Sequence, residues 1–390
     1  MIRIALLGAT GSIGRSTLEV VRRHPERFRV VAVTARRSLP ALREIVEEFR
    51  PERAVVADRE VLAAAGGPGV RGGTEWLGGP EALVEVAGRD DVDVVVNALV
   101  GAAGLEATLA ALRAGRRLAL ANKESLVAGG ALVRRCLEEG GGELVPVDSE
   151  HSAILQCIEG AAPEAVARVV LTASGGPFRG RTRDELAHVG PEAALRHPTW
   201  NMGAKITIDS ATLANKALEV IEAEMLYRLG YDRIGAVVHP QSIVHSFVEF
   251  VDGSVLAQVG EPTMEIPILY ALTYPERVPD AALRGFDPVA CSPLTFEEID
   301  HEAFPLFSLG VTAGRRGGLA PAAFNAGNEI AVAAFLEGRV SFIGMAPVVE
   351  AALAAVGGSS PTSTDEVWEA DREARRAARA AVERIKERTA

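Results

Sequence analysis

The chain has 390 residues, of which 48% are hydrophobic and 24% are charged, and its formal net charge is −11. This composition is typical of a folded protein of two or three domains and excludes a disordered or fibrous chain. The acidic balance argues against nucleic acid as a partner, because no basic stripe is available to neutralise phosphates. No apolar run approaches the roughly 18 residues of a membrane span, and the N-terminus begins with a strand pattern. We therefore expect a soluble, cytoplasmic protein with no membrane partner.

The N-terminus carries a dinucleotide-binding pattern. A β-favouring run over residues 2–7 is followed by a turn with glycine at positions 8, 11 and 14, and then by an amphipathic helical pattern. Glycines in such a turn let backbone amides approach a pyrophosphate at a helix N-terminus. The next strand, residues 29–34, runs into Arg36, Arg37 and Ser38, where an NAD site carries an acidic residue. Two arginines and a serine suit a 2′-phosphate, so the pattern favours NADPH over a solvated basic turn.

Strand patterns continue at residues 54–57, 92–97, 117–120 and 143–147, with helical patterns between them. This alternation predicts an N-terminal Rossmann-type parallel sheet, with a surface loop over residues 66–79. Polar residues follow three of these strands, at Asn97, at 122–125 and at 148–150. Because ligands of open α/β sheets bind at the carboxyl ends of the strands, we expect these three ends to converge beside the cofactor.

Asp148 and Glu150 are the first candidate metal ligands. If the strand continued through them, side chains two residues apart would share a face and form an oxygen site for a hard divalent cation, or an acid/base pair. The alternative is that Asp148 or Ser149 only caps a helix that starts near His151.

The pattern changes after residue 150. A strand over 169–173 ends in a serine-glycine turn at Ser174 that suits a phosphate or hydroxyl group. Residues 196–203 combine proline, glycine and Trp200, which fits a lid over a substrate, although a buried tryptophan anchor is the alternative. A helix is expected over 210–228, with Asp209 or Ser210 as its N-cap. Its Asn215, Glu219 and Glu222 share one face, which makes Glu219 a third candidate carboxylate.

The remaining chain predicts β-structure over 237–250 and 255–259 around a hairpin turn at 252–253, with strands that could pair across a dimer axis. Helical patterns follow at 322–337, 346–356 and 365–386. We predict an α/β protein with an NADPH-binding domain (1–149), a central α+β catalytic and dimerisation domain (150–275), a connector (276–299) and a C-terminal helical domain (300–390).

A nicotinamide site, up to three carboxylates, a phosphate-friendly turn and a lid together predict metal-assisted reduction of a small phosphorylated carbonyl compound. Seven motifs then occur in one order: Gly8–Gly14 (GATGSIG), Leu120–Leu126 (LANKESL), Pro146–His151 (PVDSEH), Ser174–Phe178 (SGGPF), His197–Gly203 (HPTWNMG), Asn215–Glu219 (NKALE) and His239–Ser242 (HPQS). Over essentially its whole length the chain resembles the 1-deoxy-D-xylulose 5-phosphate reductoisomerase family.

The resemblance implies conversion of 1-deoxy-D-xylulose 5-phosphate to 2-C-methyl-D-erythritol 4-phosphate in non-mevalonate isoprenoid biosynthesis. It implies a homodimer that uses NADPH and Mg²⁺, Mn²⁺ or Co²⁺. The carbon skeleton would first rearrange, by retro-aldol cleavage and re-addition, and the resulting aldehyde would then be reduced.

By matched position, three carboxylates would bind the metal: Asp148, Glu150 and Glu219. Catalytic roles fall to these three and to Lys123. The reacting end of the substrate would be held by Lys123, Ser149 and Glu150, and Glu219 is also expected among the substrate-binding residues. Its phosphate and hydroxyls would be held by Ser174, Ser210, Asn215 and Lys216, with His197 and Trp200 on the closing lid. NADPH would contact Thr10, Gly11, Ser12, Ile13, Asn122, Glu124 and Gly203. The chain departs from the family at Arg36-Arg37-Ser38, where Gly-Lys-Asn is common, and at lid residues Asn201 and Ala204.

Two other interpretations stay open at this point. An aspartate-semialdehyde-type dehydrogenase shares the glycine turn, but it needs a cysteine nucleophile at a strand-helix junction, and Cys136 and Cys157 both lie inside helical patterns. With Cys291 they are far apart and lack C-x-x-C spacing, so they suggest neither disulfides nor a thiolate metal site. A non-enzymatic nucleotide-sensing protein would need no metal cluster.

Overall fold

The computed structural model describes residues 1–200 and 202–389, with side chains up to residue 387. These residues form two compact units, and neither unit is a continuous stretch of chain. The first contains residues 1–125, 132–152 and 263–283, and the second contains residues 126–131, 153–262 and the chain from 284 onward. The four-part division made from the sequence stays a prediction.

An eight-stranded sheet lies at the centre of the first unit. Its strands are β1 (Ile2–Leu7), β2 (Phe28–Ala35), β3 (Arg53–Val56), β4 (Gly69–Arg71), β5 (Thr74–Gly78), β6 (Val94–Asn97), β7 (Arg117–Leu120) and β8 (Glu143–Pro146). The spatial order is β4-β5-β3-β2-β1-β6-β7-β8, and all neighbours are parallel except β4 and β5. The predicted Rossmann-type parallel sheet is confirmed.

One prediction for this sheet is wrong, because residues 66–79 are not simply a loop. They contain the antiparallel hairpin of β4 and β5, in which Arg71 pairs with Thr74. Gly72 and Gly73 between them both have positive φ. Left-handed conformations at both positions are what a two-residue hairpin turn requires, so the glycines form a turn between strands.

The helices of the first unit cover strands that are apolar at consecutive positions. They are α1 (Ser12–Arg23), α2 (Leu39–Phe49), α3 (Arg59–Ala64), α4 (Pro80–Ala87) and α5 (Leu105–Arg113), followed by α6 (Lys123–Gly140) and α7 (Ser149–Ile158), which contribute residues to both units. In β1 the run from Ile4 to Leu7 is fully buried. Such continuous burial is expected for a parallel strand with both faces covered.

The register of the sheet aligns the ends of three strands. Asn97 at the end of β6 pairs with Leu120 of β7, and Leu120 pairs with Pro146 of β8. The residues that follow these three strands therefore start at the same edge of the sheet. The predicted convergence of the polar strand ends is confirmed within this unit.

The second unit contains a four-stranded sheet made of β9 (Val166–Ala173), β10 (Ile234–Val238), β11 (Val244–Phe250) and β12 (Val255–Val259). The order is β10-β9-β11-β12, with β9 and β10 parallel and the other pairs antiparallel. Strands β11 and β12 form the hairpin predicted from Asp252 and Gly253, where Gly253 has positive φ. Strand β12 is an edge of the sheet.

Between β9 and β10 the described residues form the α-helices α8 (Arg183–Leu186), α9 (Pro191–Ala194), α10 (Ala204–Ala211) and α11 (Ala214–Tyr227). The single helix predicted over 210–228 is therefore wrong. Leu213 adopts a left-handed conformation (φ 57°, ψ 13°) between α10 and α11 and separates them. Asp209, predicted as an N-cap, instead lies inside α10, as does Ser210.

Residues 263–283 return to the first unit and include α12 (Glu265–Thr273). The last four helices, α13 (Pro305–Arg316), α14 (Ala320–Leu336), α15 (Met345–Ala355) and α16 (Thr364–Thr389), belong to the second unit. A Cβ at Gly310 of α13 would lie 2.5 Å from Ala217 Cβ of α11, so glycine is what lets these helices pack closely. Across the described ranges, no helix has the length and apolar character needed to cross a membrane.

Candidate active site

The turn between β1 and α1 is built for close approach of a ligand to the backbone. The Gly8 N–H donates to Thr34 Oγ1 at 2.9 Å, and the Ala9 N–H donates to the Thr34 carbonyl at 2.8 Å. A Cβ at Gly14 would lie 2.4 Å from the Gly8 carbonyl oxygen, so only glycine fits there. Helix α1 begins at Ser12 with no acidic residue in its first turn. A tight glycine turn at the positive end of a helix suits a pyrophosphate, so these residues fit a dinucleotide.

The turn after β2 exposes Arg36, Arg37 and Ser38. The Arg37 Nε donates to Asp58 Oδ2 at 2.6 Å, and this bond lowers the pKa of the Asp58 carboxyl. The Arg37 side chain is still 69% exposed, so it remains accessible to a phosphate. Asp58 was not found by sequence reasoning, since it follows the next strand, β3, and only the parallel pairing of β2 with β3 brings it to this turn.

Asn122 organises the loops after β6 and β7. Its side-chain Nδ2 donates to the carbonyls of Leu99 (2.8 Å) and Gly101 (2.9 Å) and lies 2.9 Å from Glu124 Oε2. Its Oδ1 accepts the Ser125 N–H at 3.1 Å, which caps α6. Asn122 is fully buried and Glu124 is nearly so. The Asn122 side chain therefore shapes the turn, and its contact with NADPH stays a prediction.

Lys123 and Asp148 form a partly buried ion pair. They follow the adjacent strands β7 and β8, and the Lys123 Nζ lies 3.1 Å from Asp148 Oδ2. The lysine side chain is 6% exposed and the aspartate side chain is 19% exposed. An ammonium and a carboxylate thus meet at the sheet edge where ligands of this fold bind.

The geometric argument for Asp148 and Glu150 was wrong, although both carboxylates lie at this edge. Strand β8 ends at Pro146 and α7 begins at Ser149, so the alternation of a strand does not apply. The Asp148 carbonyl accepts the Ser152 N–H at 2.8 Å, which places Asp148 immediately before the helix. The Ser149 hydroxyl donates to the Glu150 carboxylate. The backbone at Asp148 is therefore that of a helix start, as the cap interpretation predicted. The side chains of Asp148 and Glu150 are both partly exposed.

In the second unit, His197 lies between two serine hydroxyls. Its Nε2 is 3.0 Å from Ser174 Oγ and 3.1 Å from Ser210 Oγ. Its Nδ1 accepts the backbone N–H groups of Thr199 at 3.1 Å and Trp200 at 2.9 Å, which assigns the hydrogen of the neutral ring to Nε2. Burial lowers the pKa of His197, so the ring is neutral at pH 7.

The serine-glycine turn after β9 packs directly on α10. The Gly176 N–H donates to Ser174 Oγ at 3.2 Å. Gly176 has φ +65°, and a Cβ there would lie 2.8 Å from the Ser210 carbonyl oxygen. Glycine is therefore required both by the backbone conformation and by the close contact with the helix that carries Ser210.

Glu219 on α11 is almost completely buried, at 1% exposure. Asn215 Nδ2 donates to one carboxylate oxygen and the Lys216 ammonium pairs with the other. Of the predicted polar face, Asn215 and Glu219 are in contact, and Lys216, three residues before Glu219, joins them. Glu222, the third predicted member, is also buried, at 3% exposure. Lys216 is 3% exposed, so both members of this pair are shielded from water.

The lid residues are only partly described. Trp200 is half-buried, and Gly203 is the exposed N-cap of α10. Asn201 lies outside the described residues. Cys136 and Cys157 lie inside α6 and α7, away from the strand-helix junctions that a cysteine nucleophile would need.

Family models match most of the chain. Residues 4–130 match a model described as 1-deoxy-D-xylulose 5-phosphate reductoisomerase, residues 144–227 match the C-terminal domain of that enzyme, and residues 259–377 match a DXP reductoisomerase C-terminal domain. The 1-deoxy-D-xylulose 5-phosphate reductoisomerase of Paraburkholderia phytofirmans (strain DSM 17436 / LMG 22146 / PsJN) is 50% identical over 387 residues, covering 98% of this chain and 96% of the relative. That of Burkholderia multivorans (strain ATCC 17616 / 249) is 51% identical over 382 residues, covering 96% and 95%.

Solved structures give the same result. The 1-deoxy-D-xylulose 5-phosphate reductoisomerase from Zymomonas mobilis in complex with NADPH is 42% identical, with a TM-score of 0.90 and coverage of 98% of this chain and 99% of that one. A DOX-P reductoisomerase in complex with NADPH, fosmidomycin and magnesium is 38% identical, with a TM-score of 0.92 and coverage of 99% of both chains. The resemblance inferred from the seven ordered motifs is confirmed. The chain belongs to the 1-deoxy-D-xylulose 5-phosphate reductoisomerase family.

Proposed function

We propose that this chain converts 1-deoxy-D-xylulose 5-phosphate to 2-C-methyl-D-erythritol 4-phosphate with NADPH and a divalent metal ion, and that Asp148, Glu150 and Glu219 are its metal ligands. The observation that carries the proposal is the pairing of carboxylates with buried lysines in both units, at Lys123–Asp148 and Lys216–Glu219. The donors are all carboxylate oxygens, which suits Mg²⁺ or Mn²⁺ and not a thiolate-preferring ion. Family membership leaves no place for the dehydrogenase and nucleotide-sensor alternatives.

The cofactors supply the two parts of the chemistry that side chains cannot. When bound, the metal supplies Lewis-acid stabilisation of substrate oxygens, and NADPH supplies the hydride that reduces the rearranged carbonyl. Lys123 holds a compact positive charge at the sheet edge, where it donates hydrogen bonds to the reacting oxygens. Ser149 adds a hydroxyl donor beside Glu150. Both residues therefore orient the substrate without taking part in hydride transfer.

The phosphate and hydroxyl groups of the substrate are assigned to the second unit. Ser174 and Ser210 provide hydroxyls on either side of the neutral His197, whose single Nε2 hydrogen can serve one acceptor at a time. A phosphate that enters this group can take hydrogen bonds from both serines and the imidazole. Asn215 and Lys216, on the next helix α11, add further hydrogen-bond donors. Trp200, in the segment predicted to form a lid, would exclude water from the site.

Most of the proposed NADPH contacts are in the first unit, with the pyrophosphate over the turn that contains Thr10, Gly11, Ser12 and Ile13. Arg36, Arg37 and Ser38 would take the 2′-phosphate. Binding requires Arg37 to exchange Asp58 for the phosphate, which an exposed side chain can do at little cost. Glu124 and Gly203, with Asn122, stay proposed contacts of the same cofactor.

The assembly is proposed to be a homodimer. Strand β12 is a sheet edge that exposes Val255 (54%) and Leu256 (49%). An exposed apolar edge strand readily pairs with another chain unless it is covered. Leu256→Arg should therefore shift the sedimentation coefficient from dimer towards monomer at micromolar concentration. A wild-type chain that sediments as a monomer would contradict this assignment. A cytoplasmic location is also proposed, supported by the absence of a disulfide among the described cysteines.

The activity is tested by following NADPH absorbance with 1-deoxy-D-xylulose 5-phosphate in metal-free buffer, and then with Mg²⁺ or Mn²⁺ added back. We expect oxidation that depends on both the substrate and the metal, and that stops when a chelator is added. No metal-dependent turnover of this substrate would refute the proposed function. Acetyl or semialdehyde substrates without phosphate serve as negative controls.

A further inference from the structure

Helix α10 contains a buried carboxylate that the reaction above does not use. Asp209 is 1% exposed. Its Oδ2 lies 2.9 Å from the Lys205 Nζ, and its Oδ1 accepts a hydrogen bond from Asn328 Nδ2 at 2.7 Å. Burying a charge costs free energy unless its partners are well placed, and such a group often adds nothing to stability over an apolar pair. A role other than stability is therefore worth seeking.

We propose that Asp209 is a positioning residue for substrate binding: held by Lys205 and Asn328, it fixes the orientation of α10 so that Ser210 meets His197 and Ser174. The inference rests on the proposed function, because it assumes that these hydroxyls bind the substrate.

The length of α10 makes an external anchor necessary. The helix has only eight residues, and a helix this short is not stable by its own hydrogen bonds. Its C-terminal end meets the left-handed residue Leu213, which interrupts the path to α11. The side chain of Asp209 reaches Asn328 on α14, while that of its neighbour Ser210 reaches His197. The two adjacent residues thus attach one short helix to two different parts of the second unit.

The placement of Lys205 supports the same conclusion. It lies in the first turn of α10, where the helix dipole disfavours a cation. A lysine four residues before an aspartate is also the less favourable order for an ion pair along a helix. Neither the helix dipole nor the spacing along the helix therefore explains why a lysine is at position 205. The burial of Asp209 explains it, because a buried carboxylate needs a cation in addition to the amide of Asn328.

The test compares Asp209→Asn with the wild type. The asparagine keeps an oxygen acceptor for Asn328 and removes the negative charge that holds Lys205. We expect the KM for 1-deoxy-D-xylulose 5-phosphate to rise about tenfold or more, with kcat changed less than about threefold and the KM for NADPH unchanged, because only uniform substrate binding is lost. Thr207→Val is the matched control, since it removes a buried hydrogen bond to the Gly203 carbonyl from the same helix. It should leave the substrate KM within about twofold.

A double variant separates positioning from general damage. If Asp209 acts through Ser210, then Asp209→Asn combined with Ser210→Ala should raise the substrate KM no more than Ser210→Ala alone. Additive effects, or an unchanged KM in Asp209→Asn, would overturn the inference. If Asp209→Asn lacks a cooperative melting transition, Asn328→Ala tests the same anchor, with a threefold or greater rise (about 0.6 kcal/mol at RT ≈ 0.59 kcal/mol) expected and no change contradicting it. Absence of turnover in the wild type would refute the proposed function instead.

Discussion

Replacing Glu219 by glutamine separates its proposed role as a metal ligand from its role in packing. The residue is 1% exposed and pairs with the buried Lys216. Removing one partner of a buried ion pair costs about 3–5 kcal/mol, and glutamine keeps an acceptor oxygen, so a loss of about 3 kcal/mol is expected. For a unit of this size, about 2–4 °C per kcal/mol gives a melting temperature about 6–12 °C lower. Turnover should be abolished, because the amide is a poor ligand for a hard cation.

The measurements are thermal melting, NADPH affinity by fluorescence titration and metal-dependent turnover. NADPH affinity should stay close to that of the wild type, because most of the proposed NADPH contacts are in the first unit. Adding Lys216→Met to Glu219→Gln removes the stranded ammonium and should restore most of the lost melting temperature without restoring turnover. Metal-dependent activity within tenfold of the wild type in Glu219→Gln would refute the reasoning. Equal loss of NADPH binding would also count against the metal role.

Three further outcomes test other parts of the site. Burial lowers the pKa of His197, so the unfolded chain takes up a proton on this ring before the folded chain does. Folded-state stability should therefore fall as the pH drops below about 6.5, and a melting temperature that stays constant from pH 7 down to pH 5 would contradict this. Gly176→Ala should raise the substrate KM, because the added Cβ would lie 2.8 Å from the Ser210 carbonyl oxygen. Gly180→Ala is the control: Gly180 has a similar positive φ, but a Cβ there would have nothing within 4 Å, so the change should cost only about 1 kcal/mol of stability in a melting experiment. Asp280→Asn should destabilise the chain by about 2 kcal/mol in denaturant titrations, since the Asp280 side chain is 2% exposed and pairs with the partly buried Arg23. Burial raises the pKa of Asp280 but its hydrogen bonds prevail and lower it, so the contribution fades as the pH falls below about 4.

Much of the first unit could be predicted from the sequence because parallel strands leave two strong local signals. The first signal is a short, continuous run of apolar residues in each strand. The second is a change to polar residues where the strand ends, at the edge of the sheet where ligands bind. The bounds of β1 and β7 were predicted to the residue, and the polar residues after β6, β7 and β8 do share one edge. The sequence alone therefore predicts that the carboxylate of Asp148 and the ammonium of Lys123 lie at one edge of the sheet, where they form an ion pair.

Other features depend on long-range packing that leaves no local pattern. The break at Leu213 could not be foreseen, because leucine favours helices and is rarely left-handed. Asp209 resembled an N-cap because aspartate is common at that position. It lies inside the short helix α10, and its partner Asn328 is 119 residues away in the sequence, so no local pattern indicates the contact. The backbone conformation predicted for Asp148 and Glu150 was wrong because only two residues, Val147 and Asp148, separate the end of β8 from the start of α7. Sequence patterns locate such boundaries poorly.

The return of residues 263–283 to the first unit has a consequence for how the protein is made. When the first 152 residues have left the ribosome, α12 has not yet been synthesised. Helix α12 and the nearby Asp280 both belong to the first unit. Because Asp280 pairs with Arg23 across 257 positions, the first unit is completed only after all four strands of the second sheet have been synthesised. Folding of the two halves is therefore interleaved in time. A truncated chain that ends at residue 152 should expose apolar surface and aggregate, and release of the native first unit during translation should wait for residue 283.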